Sequence, residues 1–155
     1  MRKVAYAGSA KVLVSGAKFL RLLADETRLR ILNLLGRTPD LCVCELVAIL
    51  RLPQYQISRQ LGPLRRTGLL TATRRGPFVF YGIADAARAR PVYRAILKAA
   101  PQLVDGKAGG DDLGRMRRLM QLETAQRATL ACDPLATATT IRQRPILRVL
   151  KRRQA

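Results

Sequence analysis

The chain has 155 residues and no histidine. Without an imidazole there is no Ser-His-Asp or Cys-His nucleophile, no histidine general base and no histidine-bearing zinc site. The expectation is a protein that is not an enzyme. Cysteine is scarce, with thiols only at 42, 44 and 132. That number is too small and too odd for a secreted disulfide framework, and it fits a reducing cytoplasm. Acid is also in short supply: 10 Asp+Glu face 29 Lys+Arg, a formal net charge of +19. So one-sided a balance calls for a polyanionic partner. No apolar run approaches the roughly 18 residues of a membrane helix, so no membrane partner is expected. After Met1-Arg2-Lys3, the Gly8-Ser9 pair and Lys11 break the apolar stretch before it reaches signal-peptide length. With 48% hydrophobic residues and only 11 Gly and 8 Pro, the chain can still bury a core.

Helical periodicity comes first along the chain. Val12, Leu13, Ala17, Leu20 and Leu23 recur at helical spacing over residues 10–24. Asp25 then offers an N-cap to a second helix through Leu29, Leu32 and Leu35, with Gly36 at its end. A third helix starts with either Thr38 or Asp40 as N-cap, which puts Cys42 and Cys44 in its first turn or at its edge, and it ends before Pro53. A fourth carries Ile57, Leu61 and Leu64 as one inward stripe. The period then changes to alternation. Residues 69–73 and 78–83 flank Arg74-Arg75-Gly76-Pro77, the pattern of a β-hairpin with a basic tip. Further helices are expected over 92–97 and 113–130, separated by a Gly-rich stretch at 105–112. The fold class is mainly α with a small β-hairpin, a winged helix-turn-helix with flanking dimerisation helices. Residues 1–100 form the DNA-binding and dimerisation domain and 101–135 a helical extension. Residues 136–155, with Arg142, Arg144, Arg148, Lys151, Arg152 and Arg153 and no acid, form a basic tail expected to be partly disordered in isolation.

Four segments taken together resemble the ArsR/SmtB family of metal-sensing repressors: Leu23 to Leu32, Leu41-Cys42-Val43-Cys44-Glu45-Leu46, Ile57-Ser58-Arg59-Gln60-Leu61, and Leu64 to Leu70. The resemblance covers roughly residues 17–85. It implies a homodimer that sits on operator double-stranded DNA, needs no cofactor to bind it, and leaves when a thiophilic ion arrives. Cys42-Val43-Cys44 is similar to the arsenite- and antimonite-sensing branch, which makes those species the expected inducers. Where that branch often adds a third cysteine just after the pair, this chain has Val47. Cys132 is the remaining candidate for a third sulfur.

Sulfur is soft and suits a trigonal metalloid centre with three donors. In a regular helix, residues i and i+2 lie about 200° apart, so bringing Cys42 and Cys44 onto one ion is expected to distort the first turn of their helix. The helix N-terminus is expected to lower the thiol pKa. On the fourth helix, the N-terminal half should read base edges through Gln54, Gln56, Ser58 and Arg59, with Tyr55 and Gln60 beside them. Arg66 and the hairpin residues Arg74 and Arg75 should meet phosphate or minor groove. Two alternatives compete: a regulator induced by redox change or by a soft metal ion, and a basic protein that binds nucleic acid without sequence choice.

Overall fold

The computed structural model describes residues 16–123, 126 and 127. The N-terminal part of the expected first helix, the end of the 113–130 helix, Cys132 and the basic tail lie outside them. Among the described residues, seven helices and three short strands follow one another as α1 (Gly16–Leu23), α2 (Glu26–Leu35), β1 (Leu41–Cys42), α3 (Val43–Leu50), α4 (Gln54–Arg66), β2 (Leu70–Arg75), β3 (Phe78–Ile83), α5 (Asp85–Ala89), α6 (Pro91–Leu103) and α7 (Gly106–Leu119). The fold is a winged helix-turn-helix: α3 and α4 are its two helices, and β2 with β3 is its wing.

α2 starts where the sequence marks it, with the Asp25 carboxylate accepting from Arg28 N at 3.0 Å. Ile31, Leu32, Leu34 and Leu35 then face a core completed by Leu46, Ile49 and Leu50 of α3, Ile57, Leu61 and Leu64 of α4, and Leu69. α4 runs into the wing through Gly68, whose φ of +75° only glycine adopts without strain. The sheet is antiparallel in the order β1-β3-β2.

Two expectations are corrected. Neither Thr38 nor Asp40 caps α3: residues 41 and 42 form β1 against β3, and Cys42 itself, extended at φ −81° and ψ 166°, is the N-cap. Pairing with a strand nearly forty residues away overrides the local capping signals. The Gly-rich stretch after Asp105 is not a break but the first half of α7. Asp105 caps it by accepting from Lys107 N and Ala108 N at 3.0 and 3.1 Å. Gly109 packs closely on the preceding loop, where a Cβ would stand 3.1 Å from Val104 Cγ1. α7 ends at Leu119, and a turn after it interrupts the expected 113–130 helix, in which residues 126 and 127 are helical again.

α7 is fastened to the helix-turn-helix by charge. Asp112, 1% exposed, accepts from Arg30 Nε at 2.7 Å and Nη2 at 2.8 Å and from Arg115 Nη2 at 2.5 Å. The same guanidinium groups cap the last turn of α3: Arg30 donates to the Leu50 carbonyl at 3.1 Å, and Arg115 donates to that of Ile49. Two of the orphan carbonyls of α3 are thereby satisfied, and the turn leading into α4 is held in place.

Candidate nucleic-acid interface and cysteine junction

Pro53 precedes α4 in extended conformation, and its carbonyl accepts from Gln56 N and Ile57 N at 3.0 and 3.2 Å. With Ile57, Leu61 and Leu64 turned inward, Gln54, Tyr55, Ser58, Arg59 and Arg66 are left exposed and Gln56 half-buried. Tyr55 is 67% exposed, and its hydroxyl accepts from Gln56 Nε2 at 3.2 Å. This is a polar, donor-rich helix face with one aromatic ring, the composition that suits base edges and backbone.

Gln60 departs from that surface and is a correction. It is buried, accepts from Arg28 Nε at 2.6 Å, and donates from Nε2 to Asp25 Oδ2 at 3.4 Å. It ties α4 to the start of α2, and its amide does not point outward. The signal was its spacing, three residues after Ile57 and so on the flank of the inward stripe.

The wing tip turns at Gly76, with φ +59°, and Arg74 Nε donates to the Gly76 carbonyl at 3.2 Å. Arg74 is exposed. Arg75 is otherwise engaged: it pairs with Asp40, and its guanidinium lies over the Phe80 ring at 4.6 Å.

The cysteine pair sits at the base of the wing. Cys42 lies opposite Phe80 in the β1–β3 pairing, and the two form a small apolar cluster with Cys44 and Phe78 packed on it. Cys42 is 1% exposed and its thiol is free. Burial first, and the Glu45 carboxylate second, push its pKa up to about 12. The expected lowering by a helix N-terminus is overturned, because desolvation of a thiolate outweighs the helix dipole here. The helical i, i+2 geometry fails as well, since Cys42 is extended. Cys44, half-buried one position into α3, takes part in a disulfide.

Two charged residues that escaped the reading of the chain complete the junction. Glu45 is fully buried; its Oε2 accepts from Cys42 N at 2.7 Å, and its Oε1 faces Arg127 Nε at 3.3 Å. Burial raises the Glu45 pKa, while the Cys42 amide and the Arg127 charge pull it back. The spacing of Cys42 to Glu45 is that of a capping box, a signal that was legible. Arg127 was not, because nothing local ties residue 127 to α3. No group of three or more His, Cys, Asp or Glu side chains poised to hold a metal occurs among the described residues.

Comparison with known proteins bears on this arrangement. A model of bacterial regulatory proteins of the arsR family matches residues 25–72, from the cap of α2 into β2. The chain is 40% identical over 74 residues to the arsenic resistance transcriptional regulator ArsR1 of Pseudomonas putida, covering 48% of this chain and 58% of that one. It is 34% identical over 94 residues to the HTH-type transcriptional repressor SmtB of Mycobacterium tuberculosis, covering 61% and 69%. The chain belongs to the ArsR/SmtB family. Reduced HlyU from Vibrio cholerae is a solved structure similar to it, 32% identical over 55% of this chain and 83% of that chain, with a TM-score of 0.47. This ArsR/SmtB member spans less than two thirds of the length of ArsR1. The family is one of transcriptional regulators and not of enzymes, and the matched residues 25–72 span α3 and α4.

Proposed function

We propose that this protein is a repressor that binds operator DNA as a homodimer and is released when arsenite or antimonite is held by Cys42 and Cys44. The observation that carries the reading is the packing of Cys42 against Phe80 of the wing strand. A sulfur drawn out of that contact cannot move without disturbing β3, and with it the DNA-binding unit. Arsenite is a neutral trihydroxide near pH 7, and as each sulfur forms a bond to arsenic its proton leaves with the displaced hydroxyl as a water molecule, so a high thiol pKa does not forbid binding. The site has to open first.

Gln54, Gln56, Ser58 and Arg59 read base edges in this proposal, with Tyr55 and Arg66 beside them and Arg74 on phosphate. Cys132 is the third sulfur. It is five positions on from Arg127, a span of at most about 18 Å between Cα atoms, and the Arg127 side chain faces Glu45, the residue next to Cys44. The dimer forms through α1 and α6, which are joined by the Phe19–Tyr93 ring stack at 5.0 Å and leave Leu20, Val92 and Leu103 largely exposed.

The test is anisotropy of labelled operator DNA, with and without arsenite under reductant, for the wild type and Cys42→Ser/Cys44→Ser. Release of the wild type alone is expected; release of both, or of neither, refutes sensing through this pair. A second reading has its own observation, the disulfide at Cys44. If oxidation is the signal, a thiol oxidant changes operator affinity without arsenite and dithiothreitol restores it.

A further inference from the structure

Asp40, Arg75 and Phe80 join the cysteine strand to the wing in a way that the proposed release by metalloid does not use. Asp40 stands immediately before β1 and two residues from Cys42. Its carboxylate pairs with Arg75, the last residue of β2, and the Arg75 guanidinium is stacked 4.6 Å above Phe80, whose ring packs on Cys42. The backbone is tightly apposed at this point, since a Cβ on Gly82 of β3 would come within 2.5 Å of the Pro39 carbonyl oxygen. The strand before the cysteines therefore lies directly on the wing, with an acid at its edge. Arg74, its neighbour in β2, pairs with no acid among the described residues, and its guanidinium donates to the Gly76 carbonyl at the tip.

We propose that Asp40 is an internal stand-in for phosphate that withholds Arg75 from DNA. A carboxylate satisfies a guanidinium with the same charge-assisted hydrogen bonds that a phosphate oxygen offers, and the aromatic face below it adds a second hold on the cation. The wing meets the backbone through Arg74, while Arg75, half exposed at the wing surface, has its charge taken up by Asp40. Asp40 is thus a positioning residue whose place on the strand of Cys42 makes the number of wing charges open to DNA depend on where that strand lies. The proposal rests on the DNA-binding reading but not on the identity of the inducer.

Salt dependence reads this directly, because each phosphate neutralised contributes about −0.9 to the slope of log K against log salt. Operator binding is measured by anisotropy over a salt series, without metalloid, for the wild type, Arg75→Gln, Asp40→Asn and the double variant. Arg75→Gln alone is expected to leave the slope unchanged. Asp40→Asn is expected to steepen it by about 1.8, about 0.9 for the wing of each protomer of the dimer, and the double variant to return it to the wild-type value. A flattening by about 1.8 in Arg75→Gln alone means that Arg75 already sits on phosphate in both wings and overturns the proposal. An unchanged slope in Asp40→Asn overturns it too, since nothing was then withheld. A wild type with no salt-dependent operator binding removes the DNA-binding reading, and the latch with it.

Discussion

The two helices of the helix-turn-helix are built to opposite plans. α3 is short and buried along most of its length, with Glu45, Leu46, Ala48, Ile49 and Leu50 all inside. It is held by charge at both ends, Glu45 facing Arg127 at the start and the Arg30 and Arg115 guanidinium groups on its last carbonyls at the finish. α4 buries one stripe, Ile57, Leu61 and Leu64 with Gln60 on its flank, and leaves the rest of its surface to solvent. The difference separates tasks. A surface such as that of α4 can be altered without disturbing the fold, whereas anything done to α3 or to the cysteine at its cap is done to the core. A change at Cys42 is therefore a change in packing, whereas a substitution on the exposed face of α4 leaves the packing alone.

The sharpest way to break this contrast is at Asp112. Replacing it by Ala leaves two largely buried guanidinium groups facing each other without their carboxylate. Removal of one partner from such a cluster costs about 3–5 kcal/mol, so Asp112→Ala should move the urea midpoint far down at unchanged m. A loss below 1 kcal/mol would mean that α3 is not held from this side. Arg59→Ala should behave in the opposite way. Its side chain is exposed, so stability should stay within about 0.5 kcal/mol. Operator affinity should fall by about 1–3 kcal/mol, roughly 5- to 150-fold, if Arg59 contacts a base edge. Equal affinity with and without the side chain would place Arg59 off the DNA.

Cys42 sharpens the contrast through pH. Its pKa in the folded chain is pushed up to about 12, against about 8.5 for a free thiol. Between those values the unfolded chain has lost the proton that the folded one keeps. The stability owed to the buried neutral thiol is therefore complete below about pH 8.5 and falls as pH rises toward 12. At pH 9.5 the loss should be about 1.4 kcal/mol. It is measured as the change in the stability difference between the wild type and Cys42→Ala from pH 7.5 to 9.5 under reductant. A constant difference would show that the thiol is open to solvent.

How much of this was legible in the chain follows the same division. α2, α4 and the wing could be read because their signals are local: the Asp25 cap, the 57–61–64 stripe, and the Arg-Arg-Gly-Pro turn between alternating runs. The exposed residues of α4 followed by elimination. β1 could not be read, since two residues become a strand only by meeting β3, and Thr38 and Asp40 were stronger local signals for a helix start. α7 contradicted its own propensity. Glycines at 106, 109, 110 and 114 argue against a helix, and what holds one is the Asp105 cap, the fit of Gly109 against Val104 and the Asp112 cluster. The cysteine pair was legible as chemistry but not as environment. Composition names a thiol, and only the fold reveals the aromatic ring and the carboxylate beside it.

Gln60 tests where the line between the two plans runs, and the expected effect is the smallest. Its position in α4 made it a candidate reader of bases, yet its amide bridges Arg28 and Asp25. Gln60→Ala removes two hydrogen bonds but leaves both partners other contacts, since Arg28 still donates to the Leu22 carbonyl and Asp25 still accepts from Arg28 N. The expected cost is therefore about 1 kcal/mol of stability. The ranking of affinities over single-base operator variants should remain that of the wild type, because a side chain turned into the α2–α4 contact cannot discriminate between bases. Altered preference at one base pair, with stability unchanged, would move Gln60 to the DNA face and leave α4 with a narrower buried stripe than its packing shows.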